Sequence, residues 1–210
     1  NIKNRNIKVI YNALSQDFFP MNINTRQSLL KSKNIDYKYF LHVGGNNWYK
    51  NKTGLIQIFY EFNQLKKKGN YKLILAGKKL PDYLNDKIKK LKLEDSIVNL
   101  VNLNNRNICA LYSGAEALIF PSIAEGFGWP IIEAQACGCP VFTSKLSPMT
   151  EVGKNTVFYL NPKDEISSSK IINEKISHKK NIIKKGFQNI KRFKLQLISQ
   201  QYLSFYDKNL

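Results

Sequence analysis

Short apolar runs alternate with amphipathic segments along most of the chain. Seven runs, too apolar to have a solvent-facing side, predict buried strands at 7–11, 39–43, 72–76, 97–101, 117–120, 141–144 and 157–160. Apolar residues at helical spacing predict helices between them, at 53–68, 83–91, 108–113, 130–137 and 166–176. Strands without a polar face that are separated by helices form parallel sheets covered on both sides. The pattern therefore predicts an α/β fold, a doubly wound parallel sheet with helices on both faces.

The end of the chain has a different pattern. From Asn181 onward, apolar side chains at helical spacing predict one or two amphipathic helices that close the chain. These side chains are Ile182, Ile183, Phe187, Ile190, Phe193, Leu197, Tyr202 and Phe205. The interval from Lys163 to Lys194 contains ten basic and three acidic residues, so we expect a basic surface here.

The net charge of +18 raises the question of a nucleic-acid partner, because clustered Lys and Arg release counterions from a phosphate backbone. The sequence contains no Cys/His finger, RNP motif or heptad-bearing basic region, so we expect no nucleic acid to bind. A basic surface also suits an anionic membrane face, where each basic residue contributes on the order of 1 kcal/mol. A solvated surface that binds nothing is the interpretation that this composition favours most.

Composition narrows the class of protein. The 210 residues, 43% hydrophobic and 12% aromatic, are enough for one packed core and argue against disorder. No apolar run reaches the roughly 18 residues of a spanning helix, and no apolar signal segment follows Asn1. We therefore expect a cytoplasmic protein, with peripheral contact at the inner membrane face as an alternative. We also expect this sequence to be a piece of a longer chain.

The three cysteines are Cys109, Cys137 and Cys139. They lack CxxC or zinc spacing, which predicts reduced core thiols.

Ligands of doubly wound sheets bind at the carboxyl ends of strands, in loops that lead into helices. The first such loop contains Gly44 and Gly45, which allow a ligand to approach the backbone closely. Lys50 and Lys52 follow at a predicted helix start and are placed to neutralise a phosphate. Because the loop has no GxGxxG motif, a glycine turn with solvent-facing lysines is an equal alternative.

The loop after the strand at 117–120 is more specific. Pro130 suits the first position of a helix, where its missing N–H group costs nothing. Gly126 and Gly128 remove side chains just before that helix, so backbone amides can point at an anion such as a diphosphate. The amides concerned belong to Phe127, Gly128 and Trp129.

Two carboxylates accompany this helix start. Glu133 lies among apolar residues, and an ionised carboxylate buried there costs several kcal/mol unless it has hydrogen-bond donors. The hydroxyls of a ribose would supply these donors. Alternatively, Glu133 accepts hydrogen bonds from the start of its own helix or from a neighbouring loop. Glu125 precedes the helix and can accept hydrogen bonds from a sugar and stabilise positive charge at an anomeric carbon. Taken as an isolated residue, an exposed glutamate before two glycines is more often simply solvated.

Together these residues form a recognisable pattern. The segment 120–141 reads Phe-Pro-Ser-x-x-Glu-Gly-Phe-Gly-x-Pro-x-x-Glu-Ala-x-Ala-x-Gly-x-Pro-Val and closely resembles the signature of family 4 of the glycosyltransferases. That is a GT-B family that uses nucleotide-activated sugars with retention of anomeric configuration. Further segments resemble the same family, at 9–12, 18–20, 42–44, 50–51, 71–77, 111–115 and 151–153. The resemblance covers residues 7–206 and implies a Rossmann-like domain, the C-terminal half of a GT-B enzyme.

The resemblance also implies roles for single residues. Glu125 would contact the transferred sugar as the catalytic candidate, and Glu133 would bind the ribose hydroxyls of the nucleotide. Lys50 would help the amides of the glycine loop to hold the diphosphate. Val101 and Asn102 would contact the base, mostly through their backbone.

One position departs from the family pattern. Many relatives have an arginine where this chain has Gly45, and that arginine pairs with the lysine at the diphosphate. Either Lys52 compensates here or the leaving group is less stabilised. The sequence contains no Asp-x-Asp motif, which agrees with a mechanism that needs no metal ion or other cofactor.

The resemblance divides the chain into three parts. Residues 1–24 would be the interdomain crossing and first strand, residues 25–180 the nucleotide-sugar-binding domain, and residues 181–210 the helices that return to an N-terminal domain. That absent domain would hold a glycan or lipid-linked acceptor, so transfer should require it.

Three hypotheses follow. The leading one is the donor-binding half of a glycosyltransferase, which predicts binding of a UDP- or GDP-sugar that is lost on Glu133→Ala. The second is a sugar-nucleotide-binding module without catalysis. The third is a basic nucleic-acid-binding protein, which predicts salt-dependent duplex binding that is indifferent to Glu125 and Glu133.

Overall fold

A computed structural model describes residues 7–65 and 71–207. Its strands are β1 (Lys38–Gly44), β2 (Tyr71–Gly77), β3 (Ile97–Val101), β4 (Ala117–Phe120), β5 (Val141–Ser144) and β6 (Phe158–Leu160). They form one sheet in the order β3-β2-β1-β4-β5-β6, and every pairing is parallel. The predicted doubly wound parallel sheet is thereby confirmed.

Helices cover both faces of this sheet. They are α1 (Ile23–Lys31), α2 (Lys52–Leu65), α3 (Asp82–Lys90), α4 (Asn105–Gly114), α5 (Trp129–Ala136), α6 (Met149–Gly153), α7 (Glu165–Lys175), α8 (Lys179–Asn189) and α9 (Leu195–Asp207). One apolar core joins the sheet to α1, α4, α5 and α6, and a second core on the other face joins it to α2, α3 and α7. The predicted C-terminal helices are α8, which packs on α5, and α9, which buries only Ile198 fully.

Two helices were not predicted from the sequence. The side chain of Asn22 caps α1 by accepting a hydrogen bond from the Thr25 backbone N–H at 2.9 Å, but α1 buries only Leu30 and so has no apolar stripe. The five residues of α6 are too few for a helical period. The predicted end of α2, at 66–68, lies outside the described residues.

The strand predicted at 7–11 was wrong. These residues belong to no strand, and Ile7 and Val9 are 78% and 72% exposed. The backbone N–H of Leu14 instead donates to the carbonyl of Phe193, at 2.8 Å, so this segment runs along the chain that enters α9. An apolar run becomes a strand only where a neighbouring strand can satisfy its backbone, and the sheet offers none here.

The strand order determines where a ligand can bind. The chain moves outward from β1 through β2 to β3 and then returns to place β4 on the other side of β1. The crossovers therefore diverge between β1 and β4, and the crevice at the carboxyl ends of these two strands is the topological switch point. Both loops that the sequence singled out begin there.

Gly77 is the position where the fold near that crevice should be most sensitive to a methyl group. Its φ is +152°, and a Cβ would overlap the carbonyl oxygen of Gly44 on the neighbouring strand. We expect Gly77→Ala to lower the free energy of unfolding by about 3 kcal/mol, measured by chemical denaturation. Gly126→Ala is the matched control, because a Cβ there meets no atom within 4 Å, and its stability should equal that of the wild type. Equal stability of both variants would contradict the steric explanation.

Candidate functional site

A cleft with a volume of about 560 Å³ opens at the switch point. It lies between the loop after β1 and the loop from β4 into α5. The residues that line it are Asn12, Val43, Gly44, Lys50, Glu125, Gly126, Phe127, Gly128, Trp129, Pro130 and Glu133. Eight predicted site residues therefore lie together. A cleft of similar volume, about 500 Å³, lies at the ends of β5 and β6, but no carboxylate is among the described residues that line it.

The glycine loop ends at the start of α5, as the sequence predicted. Gly128 is the N-cap with a φ of 100°, a left-handed conformation that disfavours other residues, and Pro130 follows within the first turn. The backbone N–H of Ile123 donates to the carbonyl of Tyr49 at 2.7 Å, which ties the glycine loop to the loop after β1. The positive end of the α5 dipole therefore faces the cleft.

Lys50 and Glu125 form an ion pair inside the cleft. The Lys50 Nζ lies 2.8 Å from Oε1 and 3.0 Å from Oε2 of Glu125. The side chains are only 13% and 8% exposed, respectively, so water screens the pair weakly. The Lys50 Nζ also lies 5.1 Å from the centre of the Phe120 ring, within cation–π range. One positive and one negative group are thus fixed side by side at the end of β4.

Glu133, the fifth residue of α5, lines the same cleft. Its Oε2 accepts a hydrogen bond from Tyr112 Oη at 3.0 Å. Burial raises the pKa of Glu133, while the Tyr112 hydrogen bond and the Lys50 charge lower it. Burial also raises the pKa of Tyr112 well above its ordinary value, so the phenol stays protonated and is the donor. The carboxylate is held through one oxygen.

Sequence reasoning missed Tyr112 and Asn12 as site residues. Tyr112 was noted only as part of the helix before the glycine loop, yet a tyrosine at a core position of a helix needs a partner for its hydroxyl. That signal could have identified a polar contact but not Glu133 as the partner. Asn12 lines the cleft and directly follows the segment 7–11, which was wrongly predicted to be a strand.

Four other predicted residues do not line the cleft. Lys52 is 4% exposed and donates a hydrogen bond to Asn46 Oδ1 at 2.8 Å, and burial together with the Lys50 charge lowers its pKa to about 8. Gly45 is half-buried, next to the lining residue Gly44. Val101 and Asn102 are exposed at the end of β3, two strands away from the switch point. Their roles stay predictions.

An aromatic cluster supports the glycine loop. The ring of Phe127 lies 5.3 Å from Trp129, 5.7 Å from Phe193 and 6.3 Å from Tyr11, measured between ring centres. Tyr11 Oη donates to Glu151 Oε1 at 2.6 Å. The loop is therefore packed against both the first described segment and the segment that leads into α9.

Two further findings concern metals and membranes. Among residues 7–65 and 71–207, no group of three or more His, Cys, Asp or Glu side chains could hold a metal ion. No helix in the same described ranges has the length and apolar character needed to cross a bilayer.

A protein family and individual sequence relatives match most of this chain. The model of the family "Glycosyl transferases group 1" matches residues 25–188. The O-antigen chain mannosyltransferase RfbU of Salmonella typhimurium is 34% identical over 170 residues, which cover 80% of this chain and 43% of that protein. This chain thus spans less than half of that relative.

Solved structures share the fold. Anabaena Alr3699/HepE in complex with UDP superimposes with a TM-score of 0.84 at 22% identity, covering 96% of this chain and 57% of that one. The C-terminal domain of LpcC, a glycosyl transferase group 1 family protein of Francisella tularensis, superimposes with a TM-score of 0.73 at 22% identity. That match covers 88% of this chain and all of that one, 100%.

Proposed function

This chain belongs to the glycosyl transferases group 1 family, and from that premise we propose that it is the donor-binding half of a retaining, metal-independent glycosyltransferase. The whole enzyme transfers a sugar from a nucleotide sugar to a glycan or lipid-linked acceptor. Our proposal includes the division into a crossing segment at 1–24, a donor-binding domain at 25–180 and returning helices at 181–210. An N-terminal domain completes the acceptor site.

One observation carries this proposal. A single cleft at the switch point contains a glycine-lined helix start, a lysine and two glutamates, Glu125 and Glu133. A nucleotide sugar has an anionic diphosphate between two sets of hydroxyls, one on the ribose and one on the sugar. Lys50 and the helix start supply positive charge for the diphosphate, and the two carboxylates supply acceptors for the two sets of hydroxyls.

The diphosphate is proposed to bind at the start of α5. Backbone amides at a helix start and the positive end of its dipole favour an anion, and Lys50 adds a full positive charge. When the bond between the sugar and the diphosphate breaks, negative charge grows on the departing oxygen. Lys50 and the α5 start can stabilise that charge in the way a metal ion does elsewhere. The proposed metal independence rests on these groups.

Glu133 is proposed to accept hydrogen bonds from the ribose hydroxyls. The Tyr112 hydroxyl donates to Oε2, and this contact fixes the orientation of the carboxylate. Oε1 is then available to a ligand. A buried carboxylate with one donor is incompletely solvated, so two further donors from a ribose compensate for its burial.

Glu125 is proposed to act on the transferred sugar. Its carboxylate accepts hydrogen bonds from the sugar and stabilises positive charge that develops at the anomeric carbon. The Lys50 ammonium would then lie between this carboxylate and the diphosphate. Retention requires the acceptor hydroxyl to attack from the face that the diphosphate leaves, so the proposed second domain would present the acceptor on that face.

The acceptor and the location are proposed from one relative and from the surface charge of α8. The Salmonella relative is an O-antigen chain mannosyltransferase, which favours a polysaccharide or lipid-linked acceptor and a mannose donor. Exposed basic residues of α8, such as Lys180, Lys184 and Lys185, suit a peripheral contact with an anionic membrane on the cytoplasmic side.

Calorimetric titration with UDP, GDP and ADP and with their hexose derivatives tests the proposal. We expect one base to be preferred and its nucleotide sugar to bind more tightly than the nucleotide alone. Glu125→Gln should remove that extra affinity without weakening the nucleotide. If none of these ligands binds to the wild-type chain, the proposal is wrong.

Tyr112 is expected to act as a positioning residue for Glu133. Tyr112→Phe removes a hydrogen bond worth about 1–2 kcal/mol to a charged group, so nucleotide affinity should fall roughly 10-fold. The bond lowers the pKa of Glu133, so its loss raises that pKa, and the ionised form that binds ribose appears only at higher pH. The pH at which half the affinity is lost should therefore move upward, as measured by titrations between pH 4.5 and 8. An unshifted pH profile would mean that Tyr112 is merely structural.

A further inference from the structure

Besides apolar packing, two side-chain hydrogen bonds connect α4 with α5 and its C-cap residue, Cys137. One is the hydrogen bond between Tyr112 and Glu133. The other is between Cys109 and Cys137, whose Sγ atoms lie 3.6 Å apart. Cys109 is one turn before Tyr112 in α4, and Cys137 is one turn after Glu133 at the end of α5. The cysteine pair therefore connects the same two helices that hold the proposed ribose contact.

A small solvent-facing cavity leads to this pair from one side. Its volume is about 240 Å³, and its lining consists of Gln16, Asp17, Phe19, Met21, Arg106 and Cys109. This volume admits a molecule the size of hydrogen peroxide, which is little larger than water. Cys109 is itself buried, but it is the one cysteine of the three that lines the cavity, so it is the thiol that a small oxidant entering there approaches first.

The two sulfurs differ in acidity. A hydrogen bond from the Cys137 thiol lowers the pKa of Cys109, and the same contact raises the pKa of Cys137. The thiolate is the reactive form of cysteine, so Cys109 is the nucleophile of the pair. Burial raises the pKa of Cys139 to about 12, and its thiol donates a hydrogen bond to the carbonyl of Pro140 at 3.5 Å.

We propose that Cys109 and Cys137 are an oxidisable pair that closes to a disulfide when a peroxide enters the small cavity. The Cys109 thiolate attacks one peroxide oxygen, the O–O bond breaks and hydroxide leaves, which forms a sulfenic acid. The Cys137 sulfur then attacks the sulfenic sulfur while its thiol proton passes to the departing hydroxyl group, which leaves as water. The hydroxide from the first step takes up the proton that the Cys109 thiol released on ionisation. The two sulfurs together lose two electrons, and both peroxide oxygens end as water.

Closure should affect the donor cleft. A disulfide is about 2.05 Å long, so the sulfurs must approach each other by roughly 1.5 Å. Since Tyr112 and Glu133 lie one turn away on the same helices, their hydrogen bond must readjust. We expect nucleotide affinity to fall at least roughly 3-fold and to return on reduction. This consequence rests on the proposed function, whereas formation of the disulfide does not.

The test uses the intact chain treated with hydrogen peroxide and then with dithiothreitol. Peptide mapping by mass spectrometry identifies the cross-link, and titration with UDP and GDP follows affinity in parallel. The wild type and the matched control Cys139→Ala should form a Cys109–Cys137 link that dithiothreitol reverses. Cys109→Ala and Cys137→Ala should form none and should keep their affinity after peroxide.

Each outcome decides a separate point. Oxidation of Cys109 to sulfinic acid without a link, or a link that uses Cys139, would overturn the proposed pair. A link that leaves affinity unchanged would overturn its effect on the cleft. If the reduced wild type binds no nucleotide, the proposed function fails, while the peptide map still tests the disulfide. Because the map on the wild type suffices, a variant that does not fold leaves the conclusion intact.

Discussion

Replacing Lys50 by methionine is expected to lower the free energy of unfolding by about 3 kcal/mol, because it leaves the Glu125 carboxylate without its partner in a weakly screened site. The Lys50 and Glu125 side chains are 13% and 8% exposed, so solvent replaces little of the lost attraction. Chemical denaturation at pH 7 measures this loss. Lys180→Met, at an exposed position of α8, removes the same charge and should leave stability unchanged.

A double-mutant cycle separates the ion pair from ligand binding. Adding Glu125→Gln to Lys50→Met removes the unpaired charge and should restore most of the lost stability. It should not restore affinity for the diphosphate, which needs the ammonium itself. Affinity for the nucleoside alone should stay at the wild-type value in every member of the cycle. A Lys50→Met chain as stable as the wild type would show that the pair is not coupled in solution.

Replacing Glu133 by alanine is expected to weaken nucleotide binding roughly 100-fold, about 3 kcal/mol, because two hydrogen bonds to a charged group are lost. The nucleoside should lose affinity by the same factor as the nucleotide, since the ribose is common to both. This pattern is the opposite of that expected for Lys50→Met. Calorimetry with uridine and UDP, or with guanosine and GDP, distinguishes the effect of Glu133→Ala from that of Lys50→Met. Full affinity in Glu133→Ala would exclude the ribose contact.

Glu133→Gln complements this variant, because it removes the charge but keeps an acceptor for Tyr112. Burial raises the folded-state pKa of Glu133, so the folded chain binds more protons than the unfolded chain between the two pKa values. The contribution of this group to stability therefore falls as pH rises through that window. Glu133→Gln should remove this decline and be at least as stable as the wild type at pH 7, while it binds nucleotide more weakly. If Glu133→Gln is less stable than the wild type at pH 7, the inferred direction of the Glu133 pKa shift is wrong.

The elements of the fold were largely predictable, because each depends on the residues within one short stretch of sequence. The strand at 117–120 is a continuous, fully buried apolar run, and those at 97–101 and 141–144 each begin with two apolar residues; the structure has strands at these same residues. The glycine loop was predictable because Gly126, Gly128 and Pro130 each constrain the backbone wherever they occur. Helix α1 and the segment 7–11 were not predictable. Helix α1 depends on an end cap, which gives no periodic pattern. The segment 7–11 has no neighbouring strand, and its apolar residues do not reveal this.

The partners within the site were not predictable, because they depend on which strands become neighbours. Sequence alone determined the alternation of strands and helices, the glycine-lined start of α5 and the presence of two carboxylates near it. Only the tertiary structure decided that β1 lies beside β4, and with it that Lys50 rather than Lys52 meets Glu125 and that Tyr112 holds Glu133. Conformational preference acts over a few residues, whereas strand order and side-chain pairing are set by contacts between residues far apart in the chain.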